Sequence, residues 1–277
     1  MAAVGGKKVL VAGCVILAVY AVIAVFAPVI APYDAYADRA LPYLPPSPSH
    51  LLGTNDIGQD ILSELIAGAR QSLIIGLIAA AISLSIGAVV GILAGWFGGI
   101  VDSALSAICS FFMTIPFFPL VILLSALIGA GALTPAIILG FLGWPEAARV
   151  LRAQTLALRQ RQYILDIRAM GAGSLHILTR HVLRELLPIC TYRFILAFRS
   201  GVLAEATLSF LGLGSPIAKS WGNMLYYAQA RNAFVTGTWK WWAIPPGLAL
   251  AVLVFALLLV SYYFEETSDP RLISKTI

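Results

Sequence analysis

Long uncharged runs alternate with short polar punctuation along this chain, and run length sets the architecture. A hydrocarbon core about 30 Å thick needs roughly 20 helical residues. Residues 9–31 supply a first span behind Lys7 and Lys8. The run exceeds the roughly 7 to 15 residues of a signal-peptide core, so it reads as an uncleaved anchor. Residues 71–101 supply a second span, ending at a Gly-rich turn beside an interfacial Trp96. From Ser103 to Pro145 no charge occurs for forty-three residues. As one helix that run would be about 65 Å long, so it must fold back, with Gly129 to Pro135 as the corner. A fifth span follows Pro188 and reaches Gly212, and a sixth covers Trp242 to Phe264. The pattern predicts an all-α integral membrane protein with six transmembrane helices.

Two connecting segments carry structure of their own. In the first loop, Pro42, Pro45, Pro46 and Pro48 predict a stiff, extended stretch. After it, residues 54–70 place Ile57, Ile61, Leu65 and Ile66 on one helical face and Asp56, Asp60 and Glu64 on another, with Thr54 or Asn55 as cap. This predicts an amphipathic helix lying flat at the outer interface, as a lid or as a strut. In residues 162–188, Gly171, Ala172 and Gly173 interrupt two stretches of helical apolar spacing, giving helix, break, helix.

Composition agrees with the pattern. The chain is 60% hydrophobic and 11% charged, with a mean hydropathy of +0.91, against about 25% charged residues in soluble domains. Of its eighteen Lys and Arg residues, nine lie between Arg149 and Arg199. They sit between spans rather than on an aromatic-laced amphipathic face, so the net charge of +5 reports topology and not nucleic-acid binding. Lys7, Lys8, the 149–188 segment, Arg271 and Lys275 share one side, whereas residues 32–70 hold only Arg39 and Arg70. The positive-inside rule makes both termini cytoplasmic, with Lys219, Arg231 and Lys240 a mild exception outside.

Enzymatic readings find no support. Cys14, Cys109 and Cys190 lie far apart with no partner at metal-ligand spacing. There is no phosphate-cradling Gly-x-x-x-x-Gly-Lys-Ser/Thr loop, so no ATP site and no cofactor is expected on this chain. His50, His176 and His181 fall outside the spans, which leaves no intramembrane catalytic dyad. A stand-alone secondary transporter would show an internal duplication, and none is evident. Intramembrane charges are the remaining chemistry. Arg193 is near a span end and can snorkel, while Arg199 and Glu205, about 240° apart on one helix, must find separate neighbours. Asp102 can pair with Arg149 or Arg152.

Seven strings in order carry a family resemblance: LLGTNDIGQDILSELIAGARQSL at 51–73, GILAGWFGGIVDS at 91–103, GWPEAARVLRAQTLALRQRQYI at 143–164, RAMGAG at 168–173, LAEATLSFLGLGSP at 203–216, SWGNML at 220–225 and DPRL at 269–272. Together they resemble the inner-membrane permease subunits of ABC importers of the dipeptide and oligopeptide class. The resemblance implies a type I importer permease with one N-terminal helix and a five-helix core, in the prokaryotic cytoplasmic membrane. It implies as partners a homologous permease subunit in a heterodimer, two cytoplasmic ABC ATPases that hold ATP and magnesium, and an extracytoplasmic substrate-binding protein. The cargo it implies is di- or oligopeptides, with nickel, oligosaccharides, glutathione and opines also served by the class.

The division expected is 1–71 for the first helix, outer loop and interfacial helix, 72–264 for the core with a coupling loop at 151–188, and 265–277 for a cytoplasmic tail. In the coupling loop the family carries a Glu-Ala-Ala motif before a glycine. The register of Gly171 places it at Leu165, Asp166 and Ile167, so the motif is absent, and Arg184 stands where proline is usual. Glu146 to Ala148 is a decoy in the fourth span. Docking on the ATPase is assigned to Tyr163, Met170 and Leu175 as apolar anchors, Asp166, Arg168 and His176 as polar hooks, and Gly171 as the turn; an amphipathic helix resting on anionic lipid is the alternative. Glu205, with Ser209 one turn on and Arg199, is expected along the translocation path, Glu205 receiving a cationic group or else bonding to another helix.

Overall fold

The computed structural model describes residues 2–37, 40–129 and 131–268; Arg271, Lys275 and the DPRL string lie outside the described residues. Among those described, the regular structure is helical apart from one antiparallel bridge between Thr54 and Asp60. The first helix, α1 (Ala2–Ile30), runs against the last, α12 (Ile244–Ser268), at close range. A Cβ on Gly13 would meet Val260 Cγ2 at 2.8 Å, and Tyr20 donates its hydroxyl to the Ala249 carbonyl at 2.9 Å.

The central element is α2 (Ile61–Phe97), 37 residues long. At 1.5 Å per residue it spans about 55 Å, well beyond the hydrocarbon thickness. It therefore absorbs the segment expected as a separate interfacial helix, and the expected boundary at 71 falls inside it. Asp60 caps it instead of Thr54 or Asn55, accepting from the Ser63 amide at 2.9 Å. The acidic residues are not a solvated face. Asp60 and Glu64 are buried; Lys219 bonds Glu64 and Gln59, and Arg231 pairs with Asp56 at 3.0 Å. Two of the three basic residues that broke the charge rule thus pair with Glu64 and Asp56, while Asp60 bonds His50 Nδ1 at 3.0 Å. The proline stretch is not extended either: it winds through turns pinned by Leu44 and Thr54, which exchange backbone and side-chain bonds of 2.9–3.0 Å.

The forty-three-residue uncharged run folds into three helices: α3 (Gly99–Thr114), α4 (Phe117–Ile128) and the start of α5 (Thr134–Arg159). The corner begins at Gly129, whose φ of +93° suits glycine. A second break, at Ile115 and Pro116, bends α3 and α4 by 83° and was not expected. The helix–break–helix segment forms α6 (Gln162–Ala169) and α7 (Ser174–Ile177). A π-turn at Leu178–Val182 then feeds α8 (Leu183–Phe210), so Pro188 lies within the helix rather than at its start. Ile177, Val182 and Leu186 bury on one side across this junction, and that packing outweighs the bond proline cannot donate. Three short helices, α9 (Trp221–Ala230), α10 (Ala233–Thr236) and α11 (Trp239–Trp242), lead into α12.

Four helical stretches among the described residues are long and apolar enough to cross a membrane, five if the bent pair counts as one. The expected six includes α5, whose Glu146, Arg149 and Arg152 dilute its apolar character. Yet α5 is the principal partner of α2. Gly87, Gly91 and Gly95, spaced by four, bring the two backbones together: a Cβ on Gly87 would lie 2.8 Å from the Trp144 carbonyl, and one on Gly95 2.7 Å from that of Arg152.

Candidate functional site

A cavity of about 600 Å³ opens between α3–α4, α5 and α8, with Ala79 and Ser83 of α2 behind it. Its walls are mainly apolar, including Phe112, Phe117, Leu142 and Leu196, and the Ile115–Pro116 break lies in them. Both break residues have extended backbone, φ −83° and ψ 128° at Ile115 and φ −58° and ψ 119° at Pro116. Non-helical backbone at membrane depth is tolerated where it is buried in protein or lines a water-filled cavity. One ion pair faces this space: Arg193 donates through Nη2 to Glu146 Oε2 at 3.5 Å. The Arg193 side chain is 14% exposed and that of Glu146 75%. A charge held within the membrane and facing lipid costs about 2.5–3.5 kcal/mol on insertion scales. Arg193 turns inward onto the cavity.

Glu205 sits elsewhere. It is 1% exposed, accepting from Ser209 Oγ at 2.7 Å and from Ser72 Oγ at 3.4 Å, where α8 meets α2 and the start of α9. The same Ser72 hydroxyl accepts from the Trp221 amide. Glu205 therefore ties three helices together through hydroxyls, the inter-helix bonding that was its alternative reading. Gly201 and Ala204 of α8 line the cavity, whereas Glu205, Ser209 and Arg199 are not among its lining residues. Arg199 is half-buried and outside the serine cluster.

The elbow of α6 and α7 has an inner and an outer side. Inside, Ile164, Ile177 and Val182 are fully buried with Trp96, Leu151 and Leu158. Tyr163 packs on this cluster, so it anchors the elbow to its own membrane helices rather than projecting outward. Burial pushes its phenol up from the ordinary value. The Arg168 guanidinium stacks 4.8 Å over Trp96. Gly171, at φ +89°, lets the turn close, its amide bonding the Arg168 carbonyl at 3.0 Å. Arg161 and Glu185 pair at 3.1 Å across the two arms. Outside, Met170 is 78% and Leu175 76% exposed, flanked by Leu165, Asp166 and His176.

Residues 87–274 match the family of binding-protein-dependent transport system inner membrane components. The chain belongs to this family. Residues 6–46 of the permease also match the N-terminal transmembrane domain of oligopeptide transport permease C. It is 35% identical over 263 residues to a Brucella suis protein named as a peptide transport system permease, covering 94% of this chain and 87% of that one. It is 32% identical over 269 residues to an Escherichia coli protein named as a D,D-dipeptide transport system permease, covering 96% and 89%. Its fold is similar to a chain of the inward-facing MetNI methionine ABC transporter, with a TM-score of 0.58 at 20% identity over 74% of this chain and 97% of that one. The permease thus has the type I ABC importer fold, and it is a multi-pass inner-membrane subunit of an ABC importer.

Glu146 was set aside on sequence as part of a decoy motif, and Arg193 as a snorkelling residue. The signal for them was present: Glu146 ends the uncharged run that must fold back, and it has an opposite charge on the next long span. The decoy's alanines also have a role, since Ala147 and Ala148 are the surfaces that Gly87 and Gly91 touch.

Proposed function

We propose that this permease imports di- or oligopeptides, contributing half of a pore completed by a homologous permease in a heterodimer. Six spans with both termini cytoplasmic fit the concentration of arginine between residues 149 and 199. Two cytoplasmic ATPases bind ATP and magnesium and carry out hydrolysis, and an extracytoplasmic binding protein delivers the cargo; this chain has no catalytic step of its own. The α6–α7 elbow docks in the ATPase cleft through Met170 and Leu175, with Asp166 and His176 as polar hooks. The observation that carries the docking is the elbow's two-sidedness: a packed inner anchor presents two large apolar side chains, Met170 and Leu175, that stand exposed among the described residues. Peptide cargo rests on the relatives named as peptide permeases.

Co-reconstitution of both permeases, the ATPases and the binding protein into proteoliposomes tests this reading. Labelled tripeptide is expected to accumulate only when ATP is supplied on the ATPase side. Accumulation driven by an ion gradient without ATPases would overturn the mechanism, and uptake of nickel or an oligosaccharide but no peptide would overturn the cargo.

A further inference from the structure

We propose that Glu146 and Arg193 form a seat for a zwitterionic solute inside the permease, the carboxylate receiving the solute's ammonium and the guanidinium its carboxylate. The inference rests on the peptide reading and deepens it. Three features of the pair carry it. It faces the cavity rather than a helix seam, and both residues line that space. It is loosely engaged: of the five guanidinium N–H groups, one makes a bond of 3.5 Å, at the outer limit of hydrogen bonding. It is also asymmetric, with the arginine sheltered and the glutamate open.

A comparison within the molecule marks the difference. Asp102 and Arg152, four residues beyond the Ala148 contact, form a two-bond fork with one arm at 2.7 Å. That geometry is the strong, planar pairing of a structural bridge. The Glu146–Arg193 pair spends neither group's capacity. When the cavity is empty the charges neutralise each other, limiting the cost of holding them at membrane depth. When a zwitterion enters, each charge exchanges its partner for the complementary end of the solute, so net charge is conserved and release is as simple as re-pairing. The remaining polar groups on the wall, chiefly the Ser83 and Ser200 hydroxyls, are too few for the many hydroxyls of an oligosaccharide. The arginine beside a single carboxylate is unsuited to a divalent cation. Apolar walls suit the variable side chains of short peptides, and about 600 Å³ lies within the roughly 300–1,000 Å³ of small-solute sites.

The test is uptake selectivity in the full reconstituted transporter, with Glu146→Gln and Arg193→Gln variants. Tripeptides with free, N-acetylated or C-amidated ends are each supplied at concentrations that saturate the binding protein. Loss of a charge-assisted bond is expected to lower uptake of the free peptide about tenfold in either variant. Glu146→Gln should leave the N-acetylated peptide nearly unchanged relative to the parent, and Arg193→Gln should do the same for the C-amidated one. Co-purification of both variants with the partner permease and the ATPases reports that they fold and assemble. Equal loss for all three peptides, or loss of assembly in both variants, would overturn the seat while leaving peptide import standing. A parent transporter that moves no peptide at all would overturn the peptide reading, and the seat with it.

Discussion

The seam between α2 and α5 and the outer side of the α6–α7 elbow are opposites. Along the seam, glycines at 87, 91 and 95 admit the partner backbone so closely that a single methyl group has no place to go. On the elbow, a Cβ on Gly171 or Gly173 would meet nothing within 4 Å, and Met170 and Leu175 stand in the open. The two regions are joined, because Leu151 and Leu158 of α5 and Trp96 of α2 form the floor on which the elbow rests. A force applied at Met170 thus passes into helices that cannot slide past each other. A permease that converts partner motion into pore motion needs that combination: a surface free to be gripped and a frame stiff enough to move as a body.

The most damaging way to break the contrast is to wedge the seam. Gly91→Leu would drive a side chain into the Ala148 carbonyl and the Arg152 amide. Overpacking of this kind costs about 3 kcal/mol when the obstacle is backbone. The expected result is a sharply lower yield of folded protein and a drop in thermal midpoint of the detergent-purified permease. An unchanged midpoint would mean that α2 and α5 separate easily, and the frame would not be stiff.

The second perturbation attacks the other region and leaves the frame alone. The Met170→Asp, Leu175→Asp double variant changes two exposed side chains, so stability should change by no more than about 0.5 kcal/mol per site and the thermal midpoint should hardly move. Burying each side chain on a partner is worth about 1.5–3 kcal/mol, so ATPase affinity should fall by about a hundredfold or more. Co-purification with the ATPases measures it. Undiminished binding would show that the partner grips elsewhere.

These two regions were unequally legible in the sequence. The elbow's break was legible, because glycine and apolar spacing are local signals: the helices end and restart around Gly171, and Asp166, Met170, Leu175 and His176 are exposed beside that turn. Tyr163 was misassigned, since spacing alone cannot tell which apolar residues of a short helix face its own protein. Run length marked the four long apolar helices and the bent pair that are fit to cross a membrane. The pairing of the acids at 56 and 64 was not legible, because their partners Arg231 and Lys219 lie more than 150 residues away. The cavity was missed for the same reason: its charged pair is drawn from α5 and α8, 47 residues apart.

The finest distinction between the two regions concerns Arg168, which lies on the elbow but reaches to the frame. Sequence reading made it a hook for the ATPase, whereas the structure stacks it on Trp96 at the end of α2. A partly exposed cation–π contact is worth about 0.5–1 kcal/mol. Arg168→Ala should therefore lower stability by that small amount and quicken amide hydrogen exchange in residues 162–177, where the elbow loses a tie to the membrane helices. ATPase binding should be nearly unaffected, while the number of solutes moved per ATP should fall, because a looser elbow yields before the frame does. If ATPase affinity instead dropped about tenfold with exchange unchanged, Arg168 would belong to the gripped surface, and the line between the two regions would have to be drawn one helical turn deeper.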